Sequence, residues 1–268
     1  IFAEKKMASP QEQEIVQIFM ENVYGKSPDT SQQNQNHDGK KGHWLEKQMG
    51  IKPNASNAPD LLGFEMKNQT TSKTTFGDWS PNYFIFNDKE IIPREKGVTA
   101  VHRRNTHFLP IWGQPNVEKE NRLSWSGKPI PKIDQWNGFG CILLVCPNND
   151  IEIIYDYQRD QRLDKESIVP QRYKQSPIVI ARWDATKLAK KVNDKFNQKG
   201  WFTCKTDNFG VYNQICFGDP ITFNNWIYLV KIGVVFYDSG MYETNPRPYA
   251  QWRANNSYWD SLIRQTYP

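Results

Sequence analysis

The stretch Asp60-Leu-Leu-Gly-Phe-Glu-Met-Lys67 governs how this chain folds and what chemistry it can host. It reads as a strand entered from a loop, with Ala58-Pro59 before it and a Thr/Ser-rich continuation behind. Side chains two apart on a strand leave the same face. Glu65 and Lys67 therefore project together while Phe64 and Met66 turn into a core, and Asp60 reaches the same patch from the strand entrance. Two carboxylates and an ammonium gathered in this way suit phosphodiester hydrolysis. Hard oxygen ligands hold Mg²⁺, the ion lowers the pKa of a bound water, and the lysine orients or helps deprotonate that water. The pattern D-x4-E-x-K is short, and an amphipathic edge strand with a surface Glu/Lys pair carries it as well.

Upstream, Lys41-Gly-His-Trp-Leu-Glu46-Lys-Gln-Met-Gly50 predicts a helix over roughly 43–49 that stops at Gly50. Helical spacing sets Trp44 or Leu45 against the core and turns Glu46 toward the strand. An earlier helix begins after Ser9-Pro10, has Ile15, Ile18, Phe19 and Val23 on one face, and ends at Gly25. The polar loop 26–42 between them holds His37, Lys40 and Lys41; His37 and His43 read as exposed histidines close to the candidate site.

Downstream, residues 74–79 and 83–86 are short strand candidates. The Pro- and Gly-punctuated stretch 93–132, with His102, Arg103, Arg104 and His107, reads as an irregular functional excursion. Segments 141–146 and 151–155 predict a buried hairpin, and 178–182 a further strand. In the helix expected over 184–198, Leu188, Val192 and Phe196 form the apolar stripe, so Lys187, Lys190, Lys191, Lys195 and Lys199 read as its solvated face. Asp219-Pro220 opens a short helix, the run 228–237 contains a strand, 238–256 is a polar loop, and a last helix starts near Ser257. Strands and helices without regular βαβ alternation predict an α+β fold around a mixed sheet.

The 268 residues can bury one large or two modest cores. A net charge of +5 is compatible with a polyanionic partner. No run of about 18 apolar residues occurs, which excludes a membrane helix, and the start Ile1-Phe-Ala-Glu-Lys-Lys6 lacks the apolar core of a secretory signal. Cys141, Cys146, Cys204 and Cys216 fit no zinc spacing. They read as free thiols in a reducing compartment, which points to the cytoplasm.

The stretch 42–68 resembles the MutH-type restriction endonucleases, a branch of the PD-(D/E)XK nucleases, most closely the MvaI and BcnI enzymes. The matching elements are Glu46 on its helix, the Ala58-Pro59-Asp60 entrance and the Glu65-Met66-Lys67 strand. A second likeness lies in Lys231-Ile-Gly-Val-Val-Phe-Tyr-Asp-Ser-Gly240, a polar loop, and Tyr249-Ala-Gln-Trp-Arg253, which are laid out like that family's base-reading segment. The loop departs from the family in having Pro246-Arg247-Pro248 where Asp or His is usual.

This resemblance implies a restriction-endonuclease-like mixed-sheet core, with two lobes of a single nuclease domain, 1–268, around a DNA cleft. The catalytic lobe would cover about 1–155 and the DNA-reading lobe about 156–268. Asp60 and Glu65 become ligands of Mg²⁺, for which Mn²⁺ can substitute; Lys67 becomes the catalytic lysine and Glu46 an accessory carboxylate. Arg247, Tyr249 and Arg253 are the first candidates for DNA contact, since arginine can bond guanine in bidentate fashion. Arg103 and Arg104 are expected on phosphates, and Lys40 and Lys41 at the mouth of the cleft. The implied activity is that of a cytoplasmic type II restriction enzyme, a monomer cutting both strands of double-stranded DNA at a short sequence. A strand-nicking repair endonuclease of the MutH kind and a non-catalytic nucleic-acid-binding protein with the same fold are the alternatives.

Overall fold

Ser9 starts the first helix by accepting the Glu12 N–H at 3.2 Å, with Pro10 at the position where a missing N–H costs nothing. The computed structural model describes residues 8–31, 39–52, 56–68, 71–93 and 96–268; His37 lies outside them. In chain order the elements are α1 (Pro10–Asn22), α2 (Lys40–Gln48), β1 (Phe64–Met66), β2 (Lys73–Asp78), β3 (Tyr83–Phe84), α3 (Ala100–Arg103), α4 (Leu109–Trp112), β4 (Gln114–Asn116), β5 (Arg122–Trp125), β6 (Phe139–Val145) and β7 (Ile151–Asp160). There follow α5 (Lys165–Ile168), β8 (Ile178–Trp183), α6 (Ala185–Phe196), β9 (Gly200–Thr206), β10 (Tyr212–Gly218), α7 (Phe223–Lys231), β11 (Phe236–Ser239), β12 (Met241–Tyr242), β13 (Ala250–Asn255), α8 (Asn256–Ser261) and β14 (Ile263–Tyr267).

The chain forms two compact units that interleave in sequence. The first gathers Ile1–Thr74, Lys191–Thr222 and Asn256–Pro268; the second gathers Thr75–Lys190 and Phe223–Asn255. A boundary near residue 155 therefore does not separate them, because that position lies within β7 in the second unit.

The first unit is built on a sheet of order β1-β9-β10-β14, with β1 parallel to β9 and the other pairs antiparallel. On one face, Ile15, Phe19 and Val23 of the α1 region and Trp44, Leu45 and Met49 of the α2 region pack against Phe64, Met66, Phe202, Cys204 and Phe217. Each such side chain contributes roughly 1.5–3 kcal/mol by leaving water. On the other face, the Trp201 ring meets Trp259 of α8 at 5.0 Å, and Phe196 of α6 meets Trp259 at 6.2 Å. Glu65 is in register with Trp201, so it shares the face that α6 and α8 cover.

In the second unit the strands run β3-β8-β7-β6, β11-β13-β2 and β12-β5-β4. Trp183, Trp252, Tyr237, Trp125 and Phe108 interlock there by edge-to-face and tilted contacts. The expected irregular excursion is corrected: 93–132 contains α3, a π-helical turn Arg104–Phe108, α4 and the β4–β5 hairpin. Phe108, Leu109, Ile111 and Trp112 are buried, and that packing outweighs the Pro and Gly punctuation. The polar segment 238–256 likewise carries β12 and β13.

Glu12 ties the first helix to the last strand. It is 1% exposed, receives Arg264 Nη2 at 2.6 Å, and accepts the Tyr267 hydroxyl at 3.1 Å. Removing Glu12 would leave Arg264 only Asp219, 3.2 Å from its Nε, and would take away the acceptor of the Tyr267 hydroxyl. Glu12→Ala should lower unfolding free energy by about 2–4 kcal/mol in a urea titration, with Glu12→Gln losing less.

Candidate active site

Leu62 and Gly63 make the turn that assembles the site. Both have positive φ, 49° and 85°. Leu61 and Phe64 exchange both backbone bonds, at 3.0 and 2.8 Å, which defines a two-residue hairpin turn. The next pair outward, Asp60 and Glu65, then stands directly across the hairpin on one side. This is the physical reason for four residues between the two carboxylates. Gly63 is required twice over: its backbone is left-handed, and an added Cβ would lie 2.9 Å from Lys199 Cγ. Leu62 has no such freedom, and its left-handed backbone costs about 1–2 kcal/mol.

Asp60 is half-buried, and its Oδ2 accepts the Met66 N–H at 3.0 Å. Burial, reinforced by the charge of Glu65, pushes its carboxyl up to about 6, against the opposing pull of Lys195 and Lys67. Glu65 is 2% exposed. Its Oε1 pairs with Lys67 Nζ at 2.8 Å and with Lys195 Nζ at 2.9 Å. Its Oε2 is buried and has no hydrogen-bond partner among the described residues. Lys67 is buried, with its ammonium 5.0 Å from the centre of the Phe196 ring. Burial lowers its pKa and Glu65 opposes that shift. Glu46 is half-buried on α2; burial raises its pKa, His43 opposes, and the field of Glu65 adds to the rise.

Asp60, Glu65 and Lys67 thus converge as the spacing predicts, and Glu46 lies within their electrostatic reach. The exposed-histidine reading of His43 agrees with its position on α2. Lys195 does not follow expectation. Its side chain is 16% exposed and its charge is turned onto Glu65, so it does not belong to a solvated lysine face. It borders the Leu188–Val192–Phe196 stripe, and no local pattern distinguishes it from the other lysines of α6.

The expected DNA contacts divide. Arg103 and Arg104 are buried in helical turns, which corrects the expectation of an irregular segment that offers them to phosphates. Arg103 donates to the carbonyls of Phe86 and Val98, both at 3.0 Å, and to Asn87 Oδ1 at 3.2 Å. Arg104 donates to the Tyr242 carbonyl at 3.1 Å and to Asn105 Oδ1 at 3.1 Å. Their donors satisfy orphan acceptors of the fold. Arg253 is held by Asp238 at 3.1 Å and by Gln251 Oε1 at 2.8 Å, beside the Tyr249 ring. Arg247 is exposed and Tyr249 is 40% exposed on the turn before β13. Lys41 is exposed and Lys40 half-buried at the start of α2, a first turn without acidic residues.

Comparison with known proteins adds independent findings. Residues 24–267 match the family described as LlaMI restriction endonuclease. The chain is 50% identical over 266 residues to the type II restriction enzyme ScrFI of Lactococcus lactis subsp. cremoris, covering 95% of this chain and 98% of that protein. Its fold is similar to that of restriction endonuclease MvaI in complex with its cognate DNA substrate. There the TM-score is 0.57 at 12% identity, over 98% of this chain and 99% of the other.

The raised Asp60 carboxyl has a pH signature. Above about 6 the group is ionised in both folded and unfolded chains, and the folded state bears the penalty. As pH falls from about 6 toward 4, the folded chain takes up the proton first and stability recovers. Asp60→Asn, which keeps an acceptor for Met66 N–H, should therefore stabilise the protein in EDTA at about pH 8 by about 1–3 kcal/mol. Thermal melts across the range should show that advantage shrinking through the window from 6 to 4.

Proposed function

We infer how the site works from one premise: the chain belongs to the LlaMI restriction endonuclease family. It is a type II restriction endonuclease, and the reading that its geometry supports best is Mg²⁺-dependent hydrolysis of both strands of double-stranded DNA at a short sequence. The single observation that carries this is the pairing across one hairpin of Asp60 and Glu65, a buried carboxylate with one oxygen unpartnered, beside the ammonium of Lys67.

The donor set fits a hard divalent cation. Two carboxylates face each other, and burial holds them in a region where their mutual repulsion favours a bound positive charge. Among the described residues no group of three or more His, Cys, Asp and Glu side chains comes together, so the side chains offer these two oxygens-bearing groups. Asp60 and Glu65 would hold the ion, and when bound it supplies phosphate charge neutralisation and a more acidic water, with Mn²⁺ able to replace Mg²⁺. Lys67, held at 2.8 Å by Glu65, orients the attacking water for in-line displacement and stabilises charge developing on the phosphate. Glu46 is an accessory carboxylate of the same site, and burial together with the field of Glu65 disfavours its ionised form.

Arg247 and Tyr249 offer exposed donors and a ring for DNA, while Arg253 presents a guanidinium fixed by Asp238 and Gln251. Lys40 and Lys41 begin α2, where positive charge opposes the helix dipole, which suits a phosphate contact. The enzyme acts in the cytoplasm as a monomer whose one site cuts the two strands in turn, by nicking, release and reorientation, and leaves 5′-phosphate ends.

Supercoiled plasmids of varied sequence, incubated with Mg²⁺ or EDTA, test the reading. Discrete linear fragments should appear only with Mg²⁺, and Lys67→Ala should slow cleavage by about 10³-fold. Product that stays nicked would favour the MutH-like alternative; binding without cleavage, unaltered by Lys67→Ala, would favour a non-catalytic protein. The arginines separate in a second experiment on the same DNA. Arg247→Ala should reduce the salt slope of binding by about one. Arg104→Ala should lower the melting temperature and leave that slope unchanged.

A further inference from the structure

Lys195 lies outside the D-x4-E-x-K pattern, yet its ammonium stands 2.9 Å from Glu65 Oε1, the oxygen that also takes Lys67 at 2.8 Å. Two cations crowd one carboxylate oxygen while the other oxygen of the same group is buried and has no hydrogen-bond partner among the described residues. Simple pairing of Glu65 needs one lysine. The second has meaning when Asp60 is counted, since both lysines also act on that carboxylate. Asp60 and Glu65 then face two ammoniums, and the charges of these four groups balance without any ion.

The position of Lys195 is built rather than incidental. The last turns of α6 are fastened to the segment that carries the carboxylates. Asn57 Nδ2 donates to the Lys191 carbonyl at 2.7 Å, and the Lys199 N–H donates to the Gly63 carbonyl at 3.0 Å. The neighbouring Phe196 lies 5.0 Å from the Lys67 ammonium. The helix therefore delivers the Lys195 charge to Glu65 from a fixed base.

We propose that Lys195 is a positioning residue that takes the cation's place on Glu65 in the metal-free protein and competes with the divalent ion for that carboxylate. This rests on the assignment of Asp60 and Glu65 as metal ligands made above. Its chemical consequence is a coupling between metal and substrate. A DNA phosphate brings negative charge that offers Lys195 another partner, so Glu65 becomes available for the ion when substrate is present. Water activation is then tied to DNA, and the long lysine side chain gives the charge room to move over a short distance.

The test uses the DNA-free protein and Mn²⁺ as probe, followed by isothermal titration calorimetry. Lys195→Met keeps the aliphatic stem and removes the charge, and it should bind Mn²⁺ about tenfold or more tightly than the natural protein. Lys195→Arg, which restores the charge, should return affinity to within about twofold of the natural protein. Lys195→Gln provides a second neutral variant should Lys195→Met fail to fold, which a thermal melt reports. A merely structural lysine would alter the melt and leave the affinity ratio at one. Equal or weaker Mn²⁺ binding by the folded neutral variants, including no binding by any form, overturns the proposal. Glu65→Gln distinguishes the two levels of inference: if it binds Mn²⁺ as well as the natural protein does, the ligand assignment itself is wrong.

Discussion

Glu65 is 2% exposed, and the first unit is organised around the cost of keeping its charge out of water. An isolated buried carboxylate loses many kcal/mol of hydration and would be driven to take up a proton. Lys67 and Lys195 meet that demand from two directions, one along the strand and one from α6. The same placement leaves Asp60 close enough to feel a second negative charge, which is part of why its carboxyl is pushed up to about 6. What strains the metal-free protein is what a divalent ion would relieve.

A single strand of three residues can hold this arrangement because alternation separates its two duties. Phe64 and Met66 lock one face to the apolar sides of α1 and α2, while Glu65 and Lys67 are presented on the other. The Leu62–Gly63 turn then fixes where Asp60 stands relative to Glu65, and the close approach of Lys199 to Gly63 fixes the turn to the end of α6. The left-handed backbone of Leu62 is tolerated because the hairpin bonds on either side over-determine it.

Much of this was legible in the sequence wherever the signal was local. The D-x4-E-x-K spacing encodes a hairpin pair and a strand face, so Asp60, Glu65 and Lys67 could be placed together, and the helical frame around Trp44 and Leu45 turned Glu46 toward them. Signals from contacts distant in sequence were not legible. β9 is buried on both faces, so Gly200–Thr206 shows no alternation, and β14 pairs with β10 across some 50 residues. Lys195 reaches Glu65 across 130 positions of chain and looks like any lysine beside an apolar stripe. Arg103-Arg104 misled for the opposite reason: adjacent arginines resemble a phosphate clamp, but the helical packing of Phe108 and Trp112 draws them inward to bond carbonyls.

Charge counted along the sequence therefore says little about which charges meet DNA. Among the basic side chains, Arg103 and Arg104 satisfy backbone carbonyls, Lys67 and Lys195 neutralise one buried carboxylate, and Arg253 is clamped by an aspartate and a glutamine. The net charge of +5 does not reveal this division. Each of these cations is positioned by acceptors the fold must satisfy anyway. In the first unit this has a particular consequence. Neutralising Glu65 internally lets the strand fold without an ion, and it also means that any positive charge arriving at its second oxygen meets two ammoniums already held on the first. On the proposed assignment of Glu65 as a metal ligand, the lysines that secure the carboxylate also oppose the ion, and a DNA phosphate is the group whose charge would shift that balance.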